Sequence, residues 1–125
     1  MQDQTTSPRA VLALAGALGF TGVALGAFGA HALKARLSPE LLEVYKTGVF
    51  YHLVHAVVLL AVNALWGRLR APRLTAGLFV AGVIIFSGSL YTLAISGVRV
   101  WGAVTPFGGL AFLAGWLTLL LPTRR

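Results

Sequence analysis

Three histidines are the residues of this chain whose type and spacing could support chemistry. His52 and His55 are three residues apart, so on a helix they share a face, and His31 ends the preceding apolar segment. Three converging imidazoles could bind zinc or copper, and one imidazole titrating near neutral pH could control a proton-coupled step. Alternatively, His31 and His52 lie at a membrane interface and His55 bonds a hydroxyl of a neighbouring helix. Because no metal-binding motif accompanies these histidines, we expect no metal and no other cofactor.

Hydroxyl groups form a second set of polar residues in otherwise apolar sequence. Ser89, Thr92 and Ser96 recur at helical spacing within residues 75–97. Hydroxyls surrounded by lipid must bond inward, so we predict hydrogen bonds between helices, with a polar ligand or ion path as the alternative. Thr105 precedes Pro106, Gly108 and Gly109, a sequence that suits an ordinary helix start or a broken helix that binds an anion. The candidate polar or ligand site comprises His31, His55, Ser87, Ser89, Tyr91 and Thr105.

The elements that must position these side chains are transmembrane helices. Of the 125 residues, 58% are hydrophobic and only 10% are charged, with a mean hydropathy of +0.85. Soluble domains are about 45–50% apolar and about 25% charged, so lipid must surround most of this chain. We predict an all-α membrane bundle, one domain over residues 10–121, with spans at about 10–30, 48–66, 75–97 and 104–121. A polar tail (1–9) and a basic tail (122–125) flank it.

The segment between the first two spans predicts a short amphipathic helix on the membrane surface. Ser38 can cap a helix that has Pro39 at its first position and Glu40 in its first turn. The first span itself is longer than the 7–15-residue apolar region usual for a signal peptide. We therefore expect it to be a membrane span and not a cleaved leader.

Glycines mark one face of the first span. Their spacing of three or four residues places them on one side of a helix, which allows close helix approach in lipid. We predict packing against a neighbouring span, with a seam between copies of the chain as the alternative. These helix-packing positions are Gly16, Gly19, Gly22, Gly26 and Gly29.

The charges predict membrane orientation and exclude one class of partner. Lys and Arg outnumber Asp and Glu by ten to three, yet the basic residues sit at the ends of apolar runs and form no stripe for nucleic acid. Four spans place both termini and the middle loop on one side, which holds six of the ten basic residues. The positive-inside rule therefore predicts cytoplasmic termini. With no cysteine, disulfides and thiol chemistry are excluded.

Four sequence stretches together resemble a known family. They are GALGFTGVALGAFGAHAL (16–33), TGVFYHLVHAVVLL (47–60), FSGSLYTLAISG (86–97) and VTPFGGLAFLAGW (104–116). They are similar to the YgdD-like family of small bacterial membrane proteins, the domain of unknown function 423, with eukaryotic relatives that resemble transmembrane protein 256. The resemblance implies a multi-helix inner-membrane protein and no activity. Family motif positions map onto Gly26, Gly29, His31, Tyr51, His55, Ser87, Gly88, Ser89, Tyr91, Thr105, Pro106, Gly108 and Gly109.

Three function hypotheses follow. The first is a non-enzymatic accessory bundle that interacts with membrane lipids, with further copies of itself or with a larger membrane complex. The second is a small oligomeric transporter or channel for protons, metal ions or small solutes. The third is a haem or metal site that uses His31 and His55, for which the chain offers few carboxylates.

Overall fold

The computed structural model describes residues 8–125 and contains four long helices. They are α1 (Pro8–Leu33), α2 (Pro39–Ala64), α3 (Pro72–Ser96) and α4 (Thr105–Thr118), with a 3₁₀ turn (Arg99–Ala103) before α4. With that turn included in the last one, all four are long and apolar enough to cross a membrane, and the described residues contain no strand. The predicted all-α four-helix architecture is confirmed. Residues 1–7 of the predicted polar tail lie outside the described part of the chain.

The predicted separate interfacial helix is not confirmed. Residues 39–47 are instead the first turns of α2, which runs without interruption from Pro39 to Ala64. The expected start is present, because the Ser38 hydroxyl accepts a 3.2 Å hydrogen bond from the amide of Leu41 and Pro39 occupies the first turn. No helix breaker follows before Gly48, so the mixed-polarity segment and the second span form one helix.

Two of the long helices contain a π turn. Gly29–Leu33 closes α1, and Val83–Ser87 interrupts α3 near its middle. A π turn adds a residue to the helix and changes which side chains face a neighbour. By contrast, the Pro106–Gly109 segment does not break α4, because Pro106 lies in the first turn, where its missing N–H is tolerated.

The helices pack in a chain of neighbours. α1 packs mainly on α2, while α3 packs on both α2 and α4. One apolar cluster centres on Leu59, Phe79 and Phe112, and a smaller one centres on Leu33, Tyr45 and Ala94. Outward-facing side chains such as Phe20 and Leu120 are largely apolar and exposed, as lipid contact requires.

One end of the bundle, which we call the arginine end, contains the start of α1, the α2–α3 loop and the segment after α4. Hydrogen bonds connect these segments. Asn63, close to the end of α2, donates to the carbonyl of Pro8 at the start of α1. The amide of Arg124 donates to the carbonyl of Arg68 in the α2–α3 loop. The start of α1, the α2–α3 loop and the segment after α4 therefore meet at this end.

Candidate functional site

His52 connects three helices. It is 5% exposed, and its Nδ1 lies 2.9 Å from the Tyr91 hydroxyl of α3 while its Nε2 lies 3.1 Å from the Thr21 hydroxyl of α1. The Thr21 hydroxyl already donates to the Ala17 carbonyl. The arrangement therefore fits a neutral ring whose Nε2–H donates to Thr21 and whose Nδ1 accepts from Tyr91.

His55 connects α2 to α4 with the opposite arrangement of its ring nitrogens. Its Nδ1 donates to the Tyr51 carbonyl at 2.8 Å, and its Nε2 accepts from the indole N–H of Trp116 at 3.3 Å. The ring stacks on Phe112 with centroids 3.8 Å apart and an interplanar angle of 11°. Two histidines three residues apart thus connect α2 to different helices: His52 to α1 and α3, and His55 to α4.

The hydroxyls of α3 divide into two groups. Ser87 donates to the carbonyl of Gly48 at 2.7 Å, and the Ser89 hydroxyl lies 2.6 Å from that of Thr105. These bonds join α3 to α2 and α4. Thr92 and Ser96 instead donate to carbonyls of their own helix four residues earlier. Of the three hydroxyls at helical spacing, only Ser89 bonds to another helix.

The structure does not bring the three histidines together. His31 is exposed in the π turn at the end of α1, whereas His52 and His55 are buried and hydrogen-bonded to other partners. Within residues 8–125, no group of three or more His, Cys, Asp or Glu side chains is placed to hold a metal ion. Of the candidate polar residues, Ser89 and Thr105 lie together, while His55, Ser87 and Tyr91 contact other partners.

The glycines of α1 also divide into two groups. A Cβ on Gly22, Gly26 or Gly29 would contact a side chain of α2, most severely on Gly29, where it would lie 2.4 Å from the ring of Tyr45. A Cβ on Gly16 or Gly19 would meet nothing within 4 Å. Gly22, Gly26 and Gly29 are therefore the glycines that allow α1 to approach α2 closely.

A groove opens between α2 and α4, in front of α3, and we call it the α2–α4 groove. Its volume is about 460 Å³, and its lining is mostly aromatic and apolar: Tyr51, His55, Phe86, Pro106, Gly109, Leu110, Phe112, Leu113 and Trp116. Tyr51 stands halfway along α2 and is 37% exposed. Its ring packs on Phe86, but its hydroxyl has no hydrogen-bond partner in the described part of the chain.

Two groove residues were not singled out for chemistry by the sequence. Trp116 lines the α2–α4 groove, and its indole N–H donates to His55. Tyr51 stands out in the sequence only as a position of the family motif. No spacing rule links Trp116 to His55, because the two are 61 residues apart and meet only through the tertiary fold.

Comparison with known proteins identifies the family. The model for the protein of unknown function family DUF423 matches residues 25–109. The chain is 43% identical over 102 residues to the UPF0382 membrane protein SH2409 of Staphylococcus haemolyticus, covering 81% of this chain and 84% of that one. It is 41% identical over 119 residues to the UPF0382 inner membrane protein YgdD of Escherichia coli K12, covering 94% and 91%.

A third relative, the UPF0382 membrane protein YwdK of Bacillus subtilis, is 43% identical over 102 residues, covering 79% of this chain and 83% of that one. No solved structure matches the chain. The family match spans most of the four-helix domain, and the relatives are all named as membrane proteins. This chain is therefore an integral membrane protein that belongs to the DUF423 family.

Proposed function

We propose that the protein is a non-enzymatic membrane bundle that binds an apolar, membrane-dissolved molecule in the α2–α4 groove. The observation that carries this proposal is the Tyr51 hydroxyl, which stands halfway along α2 in an aromatic groove and has no hydrogen-bond partner among residues 8–125. In hydrocarbon a hydroxyl gains from any hydrogen-bonding partner, because no water competes for it. The ligand is therefore mostly apolar and carries one carbonyl or hydroxyl group.

The remaining polar side chains support a non-enzymatic role. Among the described residues, every buried side-chain nitrogen or oxygen has a hydrogen-bond partner. His52, Ser87 and Ser89 form their hydrogen bonds with groups of other helices, as side chains that hold a bundle together do. An accessory function that depends on binding fits this distribution better than catalysis does.

The test is the recovery of small molecules with the purified protein. We expect solvent extraction and mass spectrometry to detect a bound apolar molecule with the wild type. Tyr51→Phe should reduce its retention about two- to tenfold, as for one neutral hydrogen bond. Gly109→Leu should abolish retention, because position 109 lines the groove and a leucine side chain there would occupy it. The variant should still fold, because a Cβ at position 109 would have only an ordinary 3.9 Å contact with Phe86.

A matched control exists in α1. Gly16→Leu adds the same side chain at an open helix position away from the groove, so retention should be unchanged. Equal retention by all variants, or no bound molecule with the wild type, would refute the proposal. A photocrosslinker at Leu113 that captures a protein would instead identify a partner helix as the occupant.

Transport is the second candidate, and one specific observation favours it. Thr21, His52 and Tyr91 form a hydrogen-bonded series across three helices, which is the kind of arrangement that can relay a proton. Reconstituted vesicles test this candidate directly. Proton flux that is lost in both His52→Gln and Tyr91→Phe would support it, and wild-type vesicles without flux would exclude it.

A further inference from the structure

The arginine end of the bundle contains a second cavity. It measures about 450 Å³ and is lined by Trp66, Ala71, Pro72, Arg73, Leu74 and Arg124. It lies where α2 has ended, α3 begins and the segment after α4 returns. One wall is apolar and two lining side chains are guanidinium groups, so the cavity combines an aromatic surface with positive charge.

Hydrogen bonds fix the position of Arg124, and its guanidinium has no ion-pair partner among residues 8–125. Its amide donates to the Arg68 carbonyl at 3.0 Å, and its Nη2 donates to the Arg70 carbonyl at 3.3 Å. These bonds hold the segment after α4 against the α2–α3 loop. The remaining guanidinium N–H groups have no carboxylate partner in the described part of the chain.

Among residues 8–125, no acidic side chain compensates the positive charge of the cavity. Within residues 8–125 the only acidic side chains are Glu40 and Glu43, which belong to the first turns of α2 at the opposite end of the bundle. The single ion pair of that range, Lys46–Glu43, is also there. Arg73 has no hydrogen-bond or ion-pair partner among the described residues, and no side chain caps the start of α3 at Ala71. A bound anion would therefore complement the positive charge of this cavity.

We propose that the cavity, which we call the basic cavity, binds the headgroup phosphate of an anionic phospholipid. The cavity lies at the level where the spanning helices end, which is the depth of lipid headgroups in a bilayer. Arg73 and Arg124 bind the phosphate oxygens, since guanidinium groups match phosphate geometry. Trp66 contacts the glycerol and upper acyl region, where indole rings prefer to lie.

The test measures the affinity of the purified full chain for phosphatidylglycerol by native mass spectrometry. We expect the wild type to bind phosphatidylglycerol more tightly than phosphatidylcholine. Arg73→Gln and Arg124→Gln should each weaken the tightest phosphatidylglycerol site about fivefold, and the double variant about twenty-five-fold, the size expected for basic residues near an anionic lipid. Arg73→Lys with Arg124→Lys keeps the charge but loses the guanidinium geometry, so its affinity should lie between those of the wild type and the double Gln variant.

The matched control removes the same charge from the other end. Arg36→Gln with Arg99→Gln should leave the tightest site within about twofold of the wild type, because neither residue lines the basic cavity. If this control loses as much affinity as the cavity variant, the effect is general surface charge and the proposal is wrong. Equal affinity for phosphatidylcholine would also overturn it. Complete competition by inorganic phosphate would assign the cavity to free phosphate instead. If the double variant does not fold, the two single variants decide the question.

Discussion

At the scale of single residues, the two buried histidines act as connectors between helices. His52 bridges α1 and α3 through both ring nitrogens, whereas His55 reaches Trp116 of α4 through Nε2 and bonds the Tyr51 carbonyl of its own helix through Nδ1. A neutral imidazole offers one donor and one acceptor, so it can join two groups that differ in hydrogen-bonding character. Such bonds replace the hydrophobic driving force that lipid removes between helices.

Two tyrosines on neighbouring helices provide a direct comparison. Tyr91→Phe removes the hydroxyl that His52 accepts from and should lower the free energy of unfolding by about 0.5–2 kcal/mol, the range for hydrogen bonds between membrane helices. Tyr51→Phe removes a hydroxyl without a partner in the described residues and should leave stability unchanged. Reversible unfolding in mixed micelles measures both values. Equal losses would mean that the His52–Tyr91 bond contributes no specific stability.

At the scale of elements, glycines opposite aromatic rings set how closely the helices approach. Gly82 faces Phe112, and Gly115 faces Phe79, so α3 and α4 each offer a glycine to the other's ring. The closest approach to backbone is at Gly108, where an added Cβ would lie 2.3 Å from the backbone nitrogen of Phe86 in the π turn of α3. Backbone cannot move aside as a flexible side chain can, so this contact requires glycine.

Adjacent glycines in α4 test that requirement. Gly108→Ala should destabilise the bundle by about 1–3 kcal/mol, the usual cost of overpacking. Gly109→Ala should be neutral or slightly stabilising, because its Cβ would have only an ordinary 3.9 Å contact and alanine favours a helix. Thermal unfolding of the two variants in one detergent gives the comparison. Equal stability would show that α4 can shift away from the π turn at little cost.

At the scale of the whole molecule, the two ends of the bundle differ in charge. Arg9, Arg68, Arg70, Arg73, Arg124 and Arg125 belong to the arginine end. The opposite end has Lys34, Arg36, Lys46 and Arg99, accompanied by Glu40 and Glu43. Since only Lys and Arg counts set orientation, the asymmetry is six against four.

This asymmetry predicts that both termini are cytoplasmic. A C-terminal fusion to a reporter that is active only in the cytoplasm should be active, and one to a reporter active only outside should not. Moving Arg68, Arg70 and Arg73 to the opposite end should weaken or reverse this preference, because it inverts the count of basic residues. A wild-type fusion active only outside the cytoplasm would contradict the prediction.

The sequence anticipated the spans better than the contacts between them. Apolar run length predicted four helices, and the observed helices overlap all four runs. The surface helix was not confirmed, because sequence polarity does not reveal that residues 39–47 continue into the second span. The π turn at Val83–Ser87 has no local signal, since its residues are ordinary span residues. Three of the five glycines of the α1 face pack on α2, and only the fold distinguishes Gly22 from Gly16.

By itself, the sequence determined that this chain is a membrane bundle of four helices. The length and hydropathy of each apolar run are enough to show that it can span the bilayer as a helix. It also identified the polar side chains that lipid forces to find partners. Only the tertiary structure decided which partner each one has: His52 with Thr21 and Tyr91, His55 with Trp116, and Tyr51 with none among the described residues. Pairing depends on helix rotation and register, which are set by contacts between residues far apart in the chain.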